Sequence, residues 1–137
     1  MEFDIMNISA SGMTANRLRI DVISDNIANA ETTRTPEGGP YKRKFPIFAE
    51  YLRDYMGRKK LAGVRVVRIK EDPSYRLVYD PTHPDADENG YVKMPNVNVL
   101  REMVDLINAQ RAYEANVSAF NTVKAMINSA LNIGRGA

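Results

Sequence analysis

The sequence predicts a mainly α-helical, elongated protein in which long N- and C-terminal helices pair in a coiled-coil-like bundle, with a small β-rich insert between them. Two observations predict this fold class. All seven prolines lie between Pro36 and Pro95, and proline interrupts helix interiors. Outside that range, apolar residues recur at the three- and four-residue spacing of helices. The chain therefore divides into an N-terminal helix in residues 1–30, a loop and insert in residues 31–95, and a long C-terminal helix in residues 96–137.

The predicted N-terminal helix carries apolar residues over a wide face. They form two neighbouring stripes that together cover roughly half of the helix circumference, at about 100° per residue. A single partner helix would not cover so wide a face, so we expect a second contact there. The stripes are Ile8, Ala15, Leu18 and Val22, and Met13, Ile20, Ile23, Ile27 and Ala30.

The C-terminal segment contains the stronger helical signal. One seam repeats with alternating spacings of four and three residues, which is the heptad pattern of coiled coils. A second seam consists mostly of small side chains, which predicts close approach of a partner helix. The first seam is Val99, Met103, Leu106, Gln110, Tyr113, Val117, Phe120, Lys124, Ile127 and Leu131, and the second is Ala109, Ala112, Asn116, Ala119, Val123, Met126 and Ala130.

The length of this C-terminal helix determines the overall shape. Asn96 or Asn98 is placed to cap its start, and Gly134 to end it. A helix of about 37 residues is roughly 55 Å long, whereas a compact globule of this chain length is only about 37 Å across. The molecule must therefore be elongated, and one seam of the helix remains available after the other has paired.

The middle segment has the composition of loops and strands. Residues 47–56 fit either a short helix or an edge strand. Runs of β-branched and aromatic residues predict a hairpin near residues 63–79, turning through Asp72–Ser74. A polar loop follows in residues 80–89.

Composition excludes several classes of function. The 19 Lys and Arg against 17 Asp and Glu leave a charge of +2, which gives no reason to expect nucleic acid as a partner. Two basic clusters, Lys42–Lys44 and Arg58–Lys60, are interpreted as solvated surface. The chain contains no cysteine and one histidine, which excludes thiolate chemistry and most histidine-based sites. We expect no enzyme activity, no catalytic or metal site and no cofactor.

One acidic segment matches the opening of a calcium-binding loop. Residues Asp85–Gly90 repeat its D-x-D-x-N-G opening, but the twelfth position, where the loop needs glutamate, is Asn96. Prolines at 81 and 84 also prevent a preceding helix. A solvated acidic turn is the favoured interpretation. A divalent cation would require the ligand set Asp80, His83, Asp85 and Asp87.

Asparagine is concentrated in the terminal segments, although it is a mediocre helix former. Eleven of the twelve asparagines lie in residues 1–30 or 96–137. Asn26 lies near the apolar face of the first helix and Asn116 within the small-residue seam of the second. There a side-chain amide would hydrogen-bond across helices and set their register.

Eight short motifs are spread over essentially the whole chain. They are Ser24–Ala30, Gly38–Arg43, Tyr79–Asp87, Glu88–Val92, Pro95–Val99, Glu102–Asp105, Ala109–Asn116 and Lys124–Met126. Together they resemble the flagellar basal-body rod protein family, in particular its proximal-rod branch. One departure is Glu31, where family members commonly have asparagine.

The resemblance implies a structural subunit that assembles helically into the torque-transmitting shaft around the export channel, in the rod that crosses the periplasm. It implies as partners other copies of the chain, sister rod proteins, the basal-body membrane ring with its adaptor, and the flagellar type III export machinery in transit. It implies export without a cleaved signal peptide, whereas the acidic start alone indicates the cytoplasm. No nucleic acid and no direct membrane insertion are expected.

The terminal helices are the expected assembly elements, with their apolar seams buried between subunits. A non-polymerising coiled-coil adaptor, or an export-linked chaperone that binds partner helices, is the alternative function. The candidate interface residues are Ile8, Ala15, Leu18, Val22, Asn26, Ile27, Asn29, Met103, Leu106, Gln110, Tyr113, Asn116, Val117, Phe120, Ile127 and Leu131.

Overall fold

A computed structural model describes residues 2–136, so Met1 and Ala137, the ends of the two predicted terminal segments, lie outside the described residues. Two long terminal helices pack together, and a small antiparallel β insert lies between them in sequence, which confirms the predicted fold class. The elements are α1 (Glu2–Ala28), β1 (Arg43–Tyr55), β2 (Arg58–Asp72), β3 (Tyr75–Tyr79), β4 (Tyr91–Pro95) and α2 (Val99–Arg135).

The two helices run antiparallel. Gly12 lies against the side chain of Asn116, and Asn26 hydrogen-bonds to Glu102. The residue numbers add to 128 in both pairs, so the first residue of α1 lies level with residue 126. The last nine residues of α2 therefore extend beyond α1, by about 13 Å at 1.5 Å per residue.

Side-chain and backbone caps set the ends of α2. Asn98 is the N-cap, and its side-chain oxygen accepts a hydrogen bond from the Arg101 amide at 3.1 Å. The helix passes through Gly134 and ends at Arg135, because the Gly136 amide returns to the carbonyls of Asn132 and Ile133. The predicted stop at Gly134 is therefore wrong by two residues, because Gly136 is the C-cap.

A long twisted hairpin, β1–β2, forms most of the insert. Its two-residue turn places Met56 at φ 52° and Gly57 at φ 74°. Positive φ at both central residues is the conformation that two-residue hairpin turns favour. The register shifts twice, leaving Ala62 and Val67 as bulges on β2. Residues 47–56 thus belong mainly to a strand, not to a helix.

The hairpin predicted near residues 63–79 does not form. Its first half pairs with β1, and its second half, β3, pairs with β4 in a separate sheet. Asp72 instead makes a corner between the sheets, since its carboxylate accepts hydrogen bonds from the amide and hydroxyl of Ser74. This local hydrogen bonding matches the turn-like sequence but does not bring the flanking strands together.

The hairpin lies across α1 and contacts it along its length. Midway along the hairpin, the Ser11 hydroxyl accepts a hydrogen bond from the Val64 amide at 3.1 Å, and Gly63 lies so close to Ser11 that a side chain there would collide with it. At its base, the backbone of Lys44 hydrogen-bonds to Asn26. A two-stranded hairpin is marginal by itself, so these contacts stabilise it and fix its direction.

Candidate assembly interface

A buried polar cluster joins α1, α2 and the base of the hairpin, and we call it the polar hub: Asn26, Tyr41, Arg43, Lys44 and Glu102. Asn26 is fully buried, and its amide makes four hydrogen bonds. Its nitrogen donates to the Lys44 carbonyl at 2.7 Å and to Glu102 Oε2 at 3.1 Å. Its oxygen accepts from the Tyr41 hydroxyl at 3.0 Å and from the Lys44 amide at 2.9 Å.

Asn26 therefore satisfies both of its donors and two acceptor positions, which a buried amide requires. By bonding both backbone groups of Lys44 it pairs with the outer edge of β1 as a neighbouring strand would. The side chain thus couples the orientation of the hairpin to the packing of the two helices.

Glu102 carries a negative charge into the helix pair with only 1% of its surface exposed. Arg43 Nε donates to its Oε1 at 2.5 Å, so the buried charge has both an ion-pair partner and the Asn26 amide. Breaking such a pair costs far more than forming it gains. The hub therefore specifies one arrangement of the three elements.

The pKa of Tyr41 is raised, chiefly because burial disfavours its charged form and also because the carboxylates of Asp25 and Glu102 repel a phenolate. The neutral hydroxyl is the form that donates to Asn26, so burial and hydrogen bonding favour the same protonation state.

Part of the polar hub was predicted from the sequence. Asn26 was expected to hydrogen-bond across the helices, and it does so with Glu102. Asn116, expected to do the same, donates instead to the Ala112 carbonyl of its own helix at 2.8 Å, while its side chain fills the space left by Gly12. At Gly12 and Asn116 the register of the two helices is therefore set by the fit of a side chain against a glycine, and not by a hydrogen bond between the helices.

The packed seam of α2 begins with Glu102, which belongs to neither predicted seam, and from Leu106 onward it takes alternate members from the two. This arrangement keeps the 4,3 spacing but shifts the packed face between the two stripes. Gln110, Met103 and Leu131 of the first predicted seam are consequently exposed. The packed seam is Glu102, Leu106, Ala109, Tyr113, Asn116, Phe120, Val123 and Ile127.

The candidate residues of α1 mostly lie at or beside the helix pair. Ala15, Val22 and Asn26 are buried, whereas Ile8, Leu18 and Ile27 are half-buried. Asn29, one residue beyond the end of α1, is also half-buried, and its side-chain amide donates to the Asp25 carbonyl in the last turn of that helix. Val117 of α2 is half-buried as well. The chain thus uses part of the predicted interface internally.

An apolar strip on α2 remains without cover in the single chain. Leu100 is 73% exposed and Ile107 50%, and Met103 and Val104 lie between them. At about 100° per residue these four point away from the face that carries Glu102 and Ala109. We call them the outer strip. Apolar surface that is contiguous and exposed indicates an interaction site.

The overhanging end of α2 is a second uncovered surface. Leu131 and Ile133 are exposed there, and Phe3 is exposed at the neighbouring start of α1. Residues 125–134 include no charged side chain. Both ends of the long helix therefore present apolar surface to a partner.

The acidic loop, residues 80–88, is held by hydrogen bonds within the loop and to the segment that follows α1. Asp85 accepts from the Thr33 hydroxyl at 2.7 Å and pairs with Arg34, and these two contacts lower its pKa. Hydrogen bonds from Thr82 lower the pKa of Asp80. Within residues 2–136, no group of three or more histidines and carboxylates has a geometry that would hold a metal ion.

The fold and its uncovered surfaces define a class of protein: an elongated helical subunit whose two terminal helices pack together and leave apolar side chains of the longer helix exposed. Two family models match the chain in these helices. "Flagella basal body rod protein" matches residues 6–34, and "Flagellar basal body rod FlgEFG protein C-terminal" matches residues 88–133.

Curated relatives identify the family. The chain is 49% identical to the flagellar basal-body rod protein FlgC of Borreliella burgdorferi, with 98% of each chain covered. It is 47% identical to FlgC of Bacillus subtilis, covering 97% of this chain and 98% of the relative. It is 40% identical to FlgC of Salmonella typhimurium, covering 96% and 97%. The chain belongs to the FlgC family of flagellar basal-body rod proteins.

Membership in this family makes the chain a structural subunit of the rod, with a role in motility, and not an enzyme. Assembly with other rod subunits follows from the same membership. No described helix combines the length and apolarity that crossing a bilayer requires.

Proposed function

We propose that this chain assembles helically, with copies of itself and with sister rod proteins, into the torque-transmitting shaft around the export channel. The observation that carries the proposal is the outer strip, which stays exposed after the two helices have packed together. Burial of apolar surface drives association, and helices that present two apolar faces join more than one neighbour.

The parts of the chain would have separate roles in this assembly. Residues 1–30 and 96–137 act as assembly helices, and residues 31–95 form outer contacts. The candidate residues that are exposed or half-buried in the single chain, including Met103, Gln110, Val117 and Leu131, meet neighbouring subunits. The polar hub holds the insert in one orientation relative to the helices.

We place the chain in the rod as it crosses the periplasm. Before that it would pass through the flagellar type III export machinery without a cleaved signal peptide. The basal-body membrane ring and its adaptor are its neighbours at the base of the rod. Support comes from the similarity of the whole chain to rod proteins.

Charge introduced into the outer strip tests the proposal. Met103→Glu places a carboxylate on an exposed position of α2, so the single chain should fold normally. Cells that carry this variant as their only copy should lose rod assembly and swimming. Asn108→Glu introduces the same charge on an exposed polar position of the same helix and should be tolerated.

Protein level, swimming and isolated basal bodies would be measured for both variants. Normal swimming and complete rods with Met103→Glu would contradict assembly through the outer strip. Light scattering of purified chain with sister rod proteins distinguishes the alternative, because an adaptor that does not polymerise stops growing at a defined size.

A further inference from the structure

The turn of the β1–β2 hairpin is an exposed, basic and partly apolar surface. We call residues 53–60 the hairpin tip. It contains Arg53, Arg58, Lys59 and Lys60 against a single acidic residue, Asp54. Met56, at the turn, is 88% exposed. Among residues 2–136, Lys60 has an ion pair, with Asp4 at 3.1 Å, whereas Arg53, Arg58 and Lys59 have none.

A surface of complementary chemistry lies in the acidic loop, residues 80–88, and the two tyrosines that flank it. The loop contains four carboxylates and no lysine or arginine; Arg34 pairs with one of them, Asp85, and the acidic charge of the other three remains. Tyr79 is 65% exposed and packs edge-to-face on exposed Tyr91, with ring centroids 5.3 Å apart. Methionine sulfur favours such aromatic rings, so the loop offers a partner both for the basic residues and for Met56.

The acidic loop has a fixed shape. The Asp87 carboxylate accepts hydrogen bonds from the amides of Asn89 at 2.9 Å and Tyr91 at 2.8 Å. Gly90, at φ 82°, packs against Tyr79 and Pro81. A partner that binds here would not have to order the loop first, which lowers the cost of association.

The two surfaces cannot meet within one chain. The hairpin tip lies beside the start of α1, where Lys60 contacts Asp4. The acidic loop lies beyond the end of α1, where Thr33 binds Asp85. From Asp4 to Ala28 the helix extends about 36 Å at 1.5 Å per residue. Complementary surfaces at opposite ends of one molecule join head to tail, and such contacts build open helical assemblies or rings.

We propose that the hairpin tip of one copy docks on the acidic loop of a neighbouring copy. Arg58 and Lys59 face the carboxylates of the loop, and Met56 packs on the Tyr79–Tyr91 pair. This inference rests on the proposed helical assembly and names the contact that the insert makes in it. Charge complementarity selects the neighbour and its register, while the helices supply most of the buried apolar area.

Cysteine crosslinking tests the contact, because the chain has no cysteine of its own. One batch carries Lys59→Cys and a second carries Asn89→Cys, so that Arg58, Lys60 and the loop carboxylates all remain. The batches are mixed with sister rod proteins, pelleted as polymer and oxidised. We expect a disulfide-linked dimer of the two variants. Lys42→Cys, an exposed basic position outside the tip, replaces Lys59→Cys in the control and should give none.

The pelleting step separates this inference from the proposed function. Polymer that contains no disulfide-linked dimer of the two variants overturns the docking contact and leaves helical assembly intact. Absence of polymer contradicts the proposed function, and absence of the dimer in that case overturns the contact as well.

A charge reversal provides the second measurement. Arg58→Glu with Lys59→Glu should raise the concentration needed for assembly by about tenfold, because like charges then face each other across the contact. Adding Glu88→Lys in the same chain should recover part of the loss. Lys42→Glu with Lys70→Glu makes the same change in net charge outside the tip and should have little effect. An equal effect of both double variants would overturn the contact.

Discussion

Replacement of Asn26 by alanine should destabilise the single chain strongly. The substitution removes four hydrogen bonds at the centre of the polar hub. The Tyr41 hydroxyl and the Glu102 carboxylate are the buried partners, and each would lose a hydrogen bond that it cannot readily recover from water. A buried polar group left unpaired costs about 1–3 kcal/mol, so two of them cost about 2–6 kcal/mol. The backbone groups of Lys44 lie nearer to solvent and add little.

Urea unfolding followed by far-UV circular dichroism measures this effect. With a slope of about 1–3 kcal/mol per molar urea, the loss corresponds to a midpoint lower by about 1 M or more. Asn16→Ala is the matched control, because it lies on the same helix and its amide donates to the Gly12 carbonyl of that helix. Both variants gain the same helix propensity. A loss for Asn26→Ala no greater than for Asn16→Ala would refute the role of the hub.

Three further predictions concern the same helix pair. Gly12→Ala would place a Cβ 2.7 Å from Asn116 Oδ1, and the strain of about 1–3 kcal/mol should outweigh the gain of about 1 kcal/mol in helix propensity; Asn116→Ala in the same chain should recover most of the loss in urea midpoint. Glu102→Gln should cost about 1–3 kcal/mol, because it removes the buried charge that pairs with the partly exposed guanidinium of Arg43; an unchanged midpoint would show that this charge is irrelevant. Stability from Tyr41 is present below the pKa of tyrosine in the unfolded chain, about 10, and is lost as pH rises through the folded-state pKa, which burial raises. The midpoint should therefore fall less between pH 9 and pH 11 in Tyr41→Phe, and equal falls would contradict the burial of a neutral Tyr41 hydroxyl in the hub.

The distribution of proline was sufficient to locate both helices, because proline is incompatible with helix interiors wherever the chain folds. The packed seam of α2 was harder to assign. The sequence predicted one seam of large apolar residues and one of small residues that includes Asn116, but its periodicity does not say where between these two stripes the packed face lies. Close approach of the helices at Gly12 brings Asn116 into the same face as large residues of the first seam. The apolar residues left outside became the outer strip.

Strand pairing was predicted wrongly because local turn chemistry is present at Asp72–Ser74 without joining its flanking strands. The actual hairpin turns at Met56 and Gly57, where only the glycine is typical of such a turn. Glu102 was also missed as a member of the hub. A single glutamate within an apolar pattern indicates an exposed position, and its partner Arg43 is distant in sequence.

An electron cryomicroscopy map of the intact basal body would show whether the rod assembles through the outer strip. We expect the outer strip, Leu100, Met103, Val104 and Ile107, to be buried against neighbouring subunits, while the Asn26–Glu102 contact stays within one chain. An outer strip that faces solvent in the assembled rod would contradict assembly through the exposed face of α2.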